Sequence, residues 1–223
     1  IFTGSDVHDV SFMFANCNIF NNGNTTDVAT KPLTIQTPYL TTAASMFQNC
    51  FAFNQITTLT DTIQLLSTEN MFNAASIFNN GDVTNAGTHP FTWTAPALTT
   101  TLRMFMNTPV FNQTITLSTL NALTTTSQMF ADAALFNNGN ITDAGTKPMD
   151  LGVTSSLLNV SYMFSNCVSF NQTVSYSSLG NNAASMFENA TRFNNGDASN
   201  AGTKPFSINS TATHTSVNNM FYG

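Results

Sequence analysis

Two dipeptides recur along this chain with a spacing that constrains its fold more than any other feature. Met-Phe begins at Met13, Met46, Met71, Met104, Met129, Met163, Met186 and Met220, with gaps of 33, 25, 33, 25, 34, 23 and 34 residues. Seven residues after each of the first seven Met comes Phe-Asn, at Phe20, Phe53, Phe78, Phe111, Phe136, Phe170 and Phe193. Fifteen of the twenty Phe and eight of the ten Met therefore occupy two repeat positions. A period of this size is the mark of a stacked array, in which each unit buries its apolar face only against its neighbours. Long and short units alternate, and residues 1–223 form a single solenoid of about seven repeats.

Within a unit the apolar and small residues are spaced by three and four. Leu40, Ala43, Met46, Phe47, Cys50 and Phe53 would form the stripe of one amphipathic helix. Asn or Asn-Gly after Phe suits a helix stop, because both tolerate the left-handed conformation. An alternating segment follows: residues 33–35, 91–93, 115–117, 174–176 and 206–208 read as strands with one buried face. The expected fold is an α/β solenoid of leucine-rich-repeat type. Short parallel strands would line one side and short helices the other. An all-β solenoid is the alternative, since Thr and Asn are common in both.

Composition narrows the function classes. Charged residues are 7% of the chain and the formal net charge is −6, the opposite of the clustered cations a nucleic-acid binder needs. No apolar run is long enough to span a membrane. The polar remainder is neutral, with 30 Asn and 56 Ser plus Thr.

The segment Met46-Phe47-Gln48-Asn49-Cys50-Phe51-Ala52-Phe53-Asn54-Gln55 resembles the BspA-like bacterial surface protein repeat. That family is also known from mycoplasma lipoproteins and is related to leucine-rich repeats. The resemblance covers essentially the whole chain. It implies a leucine-rich-repeat-like solenoid on a cell surface, associated with adhesion, and no catalytic residues. Where such repeats carry a strand Trp, this chain has Trp93 once and Ile35, Leu59, Leu117, Leu151, Tyr176 and Ile208 elsewhere.

The Asn after Phe is present in all seven units: Asn21, Asn54, Asn79, Asn112, Asn137, Asn171 and Asn194. A stacked Asn can bond backbone groups in its own turn and in the next rung, so this column is expected to be a structural ladder, with a surface binding row as the alternative. The long units carry inserted loops that begin Asn-Asn-Gly and end Lys-Pro or His-Pro. Asp27, Asp82, Asp143 and Asp197 lie one to a loop. Asx-turns with a local charge pair fit this pattern. A calcium loop is the second reading, and these four Asp are its weak candidates, because calcium wants several oxygen ligands. A ligand-binding ridge along the loop edge is the third. Cys17, Cys50 and Cys167 share one small-residue position and suit free buried thiols. His8, His89 and His214 occupy three different positions with no metal-ligand or triad spacing. No cofactor is implied, and no enzyme is expected.

Seven Asn-x-Ser/Thr sequons are about what chance composition produces. Asn24 and Asn140, expected in exposed loops, are the glycosylation candidates; Asn112 and Asn171 belong to the ladder. The repeat starts and stops without polar caps, so the chain is expected to be a segment of a longer array or a subunit stacking on copies of itself end to end. The leading function is a non-enzymatic extracellular or cell-surface structural and adhesive protein, forming a fibre or stalk. The alternative is a binding module for glycans or host surface proteins using the loop edge, with Trp93, Tyr39 and the loop Asp. Thr pairs before Met-Phe also raise ice binding, but Asn159 and Asn181-Asn182 interrupt that row.

Overall fold

The computed structural model describes residues 2–3, 6–24, 30–84, 86–142, 145–151, 156–176, 181–199, 202–206 and 216–223. Four strands, β1 (Phe2–Thr3), β2 (Leu33–Gln36), β3 (Thr57–Thr60) and β4 (Thr92–Trp93), form one parallel sheet in chain order. β5 (Met149–Asp150) and β6 (Val174–Ser175) form a second parallel pair. Register is one unit to the next: Ile35 faces Leu59 and Leu59 faces Trp93. Residues 115–117 keep the alternation, with Ile115 and Leu117 buried and Thr116 exposed, but lie outside the named strands. Of residues 206–208, Ser207 and Ile208 lie outside the described residues.

A second column of parallel bridges runs through every unit, four residues before Met: Asp9, Thr42, Ser67, Thr100, Thr125, Asn159, Asn182 and Ser216. Each is a residue whose side-chain oxygen caps the amide two residues on, as Asn159 Oδ1 does for Ser161 N at 3.0 Å. The same capping engages the Thr42, Thr100 and Thr125 hydroxyls with backbone.

The helical side of the expected α/β solenoid is not there. The described residues contain no helix. The 3-and-4 stripe instead belongs to a ribbon of consecutive turns. In the second unit, Met46 N, Gln48 N and Cys50 N donate three residues back, to Ala43 O, Ser45 O and Phe47 O. The residues between them donate outward: Ala43 N, Ser45 N, Phe47 N and Asn49 N reach Ser67 O, Glu69 O, Met71 O and Asn73 O of the next unit at 2.8–3.0 Å. A helix would use every one of these amides internally. Here alternate amides hold the stack together. The ribbon turns through left-handed residues one before and three after Met: Ser45 (φ 55°) and Asn49 (φ 59°), with equivalents in the other units. Isolated left-handed residues build turns and interrupt helices.

The ribbon keeps the stripe facing inward. Leu40, Ala43, Met46, Phe47, Cys50 and Phe53 are all fully buried. The two Phe of each unit lie with centroids 3.8–4.2 Å apart. The first column continues from unit to unit at 5.3–5.8 Å. The second continues at 5.7–6.0 Å. Phe91 meets this double column edge-on, 83° to Phe72 and 82° to Phe105, the other favourable aromatic geometry.

Candidate functional site

The most elaborate polar construction in the molecule starts immediately after Phe. The side-chain oxygen of each of the first six ladder Asn accepts two donors from the following unit, and the second donor alternates. Asn21 Oδ1 accepts from Asn54 N at 2.9 Å and from Gln55 Nε2 at 3.0 Å. Asn54 Oδ1 accepts from Asn79 N at 2.9 Å and Gly81 N at 2.8 Å. Asn79 serves Asn112 N and Gln113 Nε2; Asn112 serves Asn137 N and Gly139 N. Asn137 serves Asn171 N and Gln172 Nε2; Asn171 serves Asn194 N and Gly196 N. Asn-Gln in the short units and Asn-Asn-Gly in the long units are thus two sequence solutions to one requirement, a second donor for a buried amide oxygen.

The residues beside the ladder close the inserted loops. Gln55, Gln113 and Gln172 use their Oε1 to accept the amides of Lys31, His89 and Lys147 at 2.8–3.0 Å. The second Asn of each long unit pins the far end of its own loop. Asn80 Nδ2 donates to His89 O at 2.9 Å and Pro90 O at 3.2 Å, and Asn138 and Asn195 repeat this at Lys147–Pro148 and Lys204–Pro205. Their Oδ1 atoms accept Thr57 N, Ile115 N and Val174 N from the preceding unit. These Asn have φ near 50°, which Asn tolerates better than most side chains.

Successive long loops also touch each other across the intervening short unit. A Cβ on Gly87 would lie 2.2 Å from Gly139 O, and one on Gly145 2.3 Å from Gly196 O. Both glycines have positive φ, so no larger residue fits. The second, third and fourth loops therefore form one contiguous edge. Beside it lies a groove of about 230 Å³ lined by Asn112, Leu135, Asn137, Asn140, Ile141, Ser169 and Arg192.

Inside the loops, Asp82 Oδ1 accepts Thr84 N and Thr84 Oγ1, both at 2.7 Å, and Oδ2 accepts from Thr88 and Gln113 at 3.2–3.3 Å. Asp197 does the same with Ser199 and Thr203. Burial pushes the Asp82 carboxyl up, but the Thr84, Gln113 and Thr88 donors outweigh it and hold the group well below the usual carboxylate range. Asp197 is held low first by the Ser199 hydroxyl, then by the Thr203 and Ser199 amides. Asn140 fills the equivalent place, accepting Thr142 N at 2.9 Å and donating to Thr146 Oγ1 at 3.1 Å. The lysines turn elsewhere: Lys204 Nζ donates to Gly196 O at 2.7 Å, and Lys147 Nζ to Gly139 O. Among the described residues no group of three His, Cys, Asp or Glu is placed to hold a metal. Asp27 and Asp143 lie outside the described residues.

Residues 24–144 and 148–223 match the model of a family described as "Mycoplasma protein of unknown function, DUF285". The chain belongs to this family. No curated protein and no solved structure matches it.

In this DUF285 chain the three cysteines are free thiols. Cys50 and Cys167 are buried, and their Sγ atoms donate to Phe14 O and Phe130 O at 2.8 and 2.9 Å. Burial pushes the Cys50 thiol up to about 11 and the Cys167 thiol upward as well. Cys17 is exposed. Among sequon residues, Asn140 is only 7% exposed, because its amide organises the loop. Asn24 is half-buried, with Nδ2 on Thr30 Oγ1, and Asn189 is exposed. His214 lies outside the described residues. No helix among the described residues is long and apolar enough to cross a membrane.

The spacing of polar residues already carried a missed signal. Three residues after Met come Asn16, Asn49, Ala74, Asn107, Asp132, Asn166 and Asn189, all left-handed. Five Asn and an Asp at one position favour a left-handed turn residue over a helical one.

Proposed function

We propose that this DUF285 chain is a non-enzymatic, extracellular structural and adhesive protein, a rod that displays a repeated polar edge. The observation that carries the reading is the Asn ladder. Each of the first six rungs spends its buried side-chain oxygen on two donors of the next rung, so the polar groups brought together act on neighbouring rungs. The continuous Phe column adds stiffness through the same nearest-neighbour contacts. The likeness of its Met-Phe motif to BspA-like surface repeats supports a cell-surface location and an adhesive role. Affinity would come from many weak contacts along the rod.

A second reading is favoured by the loop edge. Val83 and Ile141, at equivalent places in consecutive long loops, are 57% and 72% exposed, and Ile141 lines the groove together with Arg192. On that reading the rod is a binding module for a glycan or a host surface protein.

Electron microscopy of native material separates the two. Continuous filaments with a rise that matches whole repeats support the structural reading. Discrete particles that bind a glycan or host-cell surface saturably, with loss of binding in Ile141→Asp, overturn it in favour of the second.

A further inference from the structure

Cys17 and Cys50 hold the same repeat position, four residues after Met13 and Met46, in consecutive units. Those units stack in register around the two cysteines. Asn16 N donates to Gln48 O at 2.8 Å, and Asn49 Nδ2 donates to Asn16 Oδ1 at 2.8 Å. Phe14 stacks on Phe47, and Phe20 on Phe53. Equivalent residues on adjacent rungs of a parallel stack lie about 4.8 Å apart, inside the about 4.4–6.8 Å between Cα atoms that a disulfide spans. The Cys50 side chain already reaches into the other rung. Its Sγ donates to Phe14 O at 2.8 Å, the same oxygen that accepts Cys17 N at 3.0 Å. The third cysteine supplies an internal comparison. Cys167 Sγ donates to Phe130 O at 2.9 Å, and that oxygen accepts Ala133 N at 3.0 Å. The arrangement is the same, but the column neighbours of Cys167 are Ala133 and Ala190, and the other neighbour of Cys50 is Ala75. Of the three cysteines, only Cys17 and Cys50 stand on adjacent rungs.

We propose that Cys17 and Cys50, free thiols in this structure, are an oxidisable pair that closes into a disulfide between two neighbouring rungs. The oxidant is a low-molecular-weight disulfide. One cysteine thiolate attacks it, forms a mixed disulfide and displaces half of the reagent as a thiol. The second cysteine sulfur attacks the mixed disulfide and displaces the other half. One S–S bond forms in the protein and one breaks in the reagent. Two electrons pass to the reagent, and the two cysteine protons end on the two released thiols. A Cys17 rotamer that faces Cys50 completes the bridge. Cys50 gives up its bond to Phe14 O, but that oxygen keeps the Cys17 amide, so oxidation strands no acceptor. The bond ties together two units that otherwise hold each other by stacked rings and alternate amides. The loop that begins at Asn21-Asn22-Gly23 lies between its two ends in the chain.

The test equilibrates the dilute 223-residue chain in buffers of reduced and oxidised glutathione, native and in unfolding urea, and maps the linked peptides by mass spectrometry. The linked fraction gives the effective concentration of each pair. In urea, loop length alone favours Cys17–Cys50 over Cys50–Cys167 by about sevenfold. In the native chain the preference should exceed the urea value by at least about tenfold, because adjacent rungs hold the two sulfurs together. A native preference that falls short of this, or a native pair that stays unlinked in a buffer that links it in urea, overturns the proposal. Ala133→Cys puts a thiol on the rung beside Cys167, at a position where other units already carry Cys, and a native link from there to Cys167 should form as readily. A folded variant without that link refutes the register argument. Should the variant not fold, the comparison on the unaltered chain decides alone.

Discussion

Replacing Asn112 by Ala removes at least three hydrogen bonds at once. Its Oδ1 accepts Asn137 N and Gly139 N, both at 2.9 Å, and its Nδ2 donates to Asn140 O at 3.1 Å. The residue is 4% exposed. Each buried backbone group left without a partner costs about 1–3 kcal/mol. Asn112 lines the groove beside Asn137 and Asn140, so water can reach part of the gap, which places the total near the low end, about 3 kcal/mol. The comparison is Asn49→Gly. Asn49 also bonds across units, Nδ2 to Asn16 Oδ1 at 2.8 Å, but on the exposed side, and its φ of 59° suits glycine. That change should cost under about 1 kcal/mol. Urea unfolding, followed by circular dichroism and Trp93 fluorescence, measures both from the midpoint at constant slope. Because stacked repeats can unfold in parts, exchange of the Gly139 amide should rise with the Asn112 change and not with the Asn49 change. A midpoint shift for Asn112→Ala no larger than that of Asn49→Gly would refute the ladder as a source of stability. So would a glycan mapped to Asn112 or Asn171.

Other expectations follow from the same contacts. Phe105→Ala removes a ring stacked on Phe72, Phe111 and Phe130 and should cost about 3–5 kcal/mol by thermal or urea unfolding. Gly145→Ala would drive a Cβ into Gly196 O, whereas Gly202 has the same positive φ and open space; the first should destabilise clearly more than the second, whose cost is the left-handed strain of about 1–2 kcal/mol. The Asp82 carboxyl is lower in the folded chain than unfolded, so its stabilisation is complete above the unfolded value near 3.9 and is lost as pH falls below it. Asp82→Asn, the residue found at Asn140, should flatten the acid limb of stability against pH below about pH 4, chiefly by lowering stability in the neutral region. A thiol reagent should label Cys17 in the native chain and reach Cys50 and Cys167 only on unfolding, since their thiols are buried and shifted upward; native labelling of Cys167 would contradict the packing.

Much of this arrangement was legible in the chain. The Met-Phe and Phe-Asn positions named the core, and Phe47, Phe53, Phe72, Phe78, Phe105 and Phe111 are fully buried. The alternation at residues 33–35, 91–93 and 174–176 named segments whose strands pair in parallel, whereas the strand at 57–60 was not read from the sequence. The helices did not form, and the reason lies in what periodicity measures. A spacing of three and four reports which side chains share a side, and successive turns share it with a helix. It does not report where the amides point. Asn at the third place after Met was the local hint of left-handed turns.

By itself the sequence determined the repeat, the inward teeth, the Asn column and the place of the inserted loops, because these follow from residue identity recurring at fixed intervals. Tertiary structure alone decided the rest. Ser45 N and Phe47 N find acceptors in the next unit, Gln55 and Gly81 serve as alternate second donors to successive ladder oxygens, and Gly87 meets Gly139 across a whole short unit. Each is a contact between residues distant in the chain. A hydrogen bond's partner is set by what the stack brings within about 3 Å, and no local pattern carries that distance.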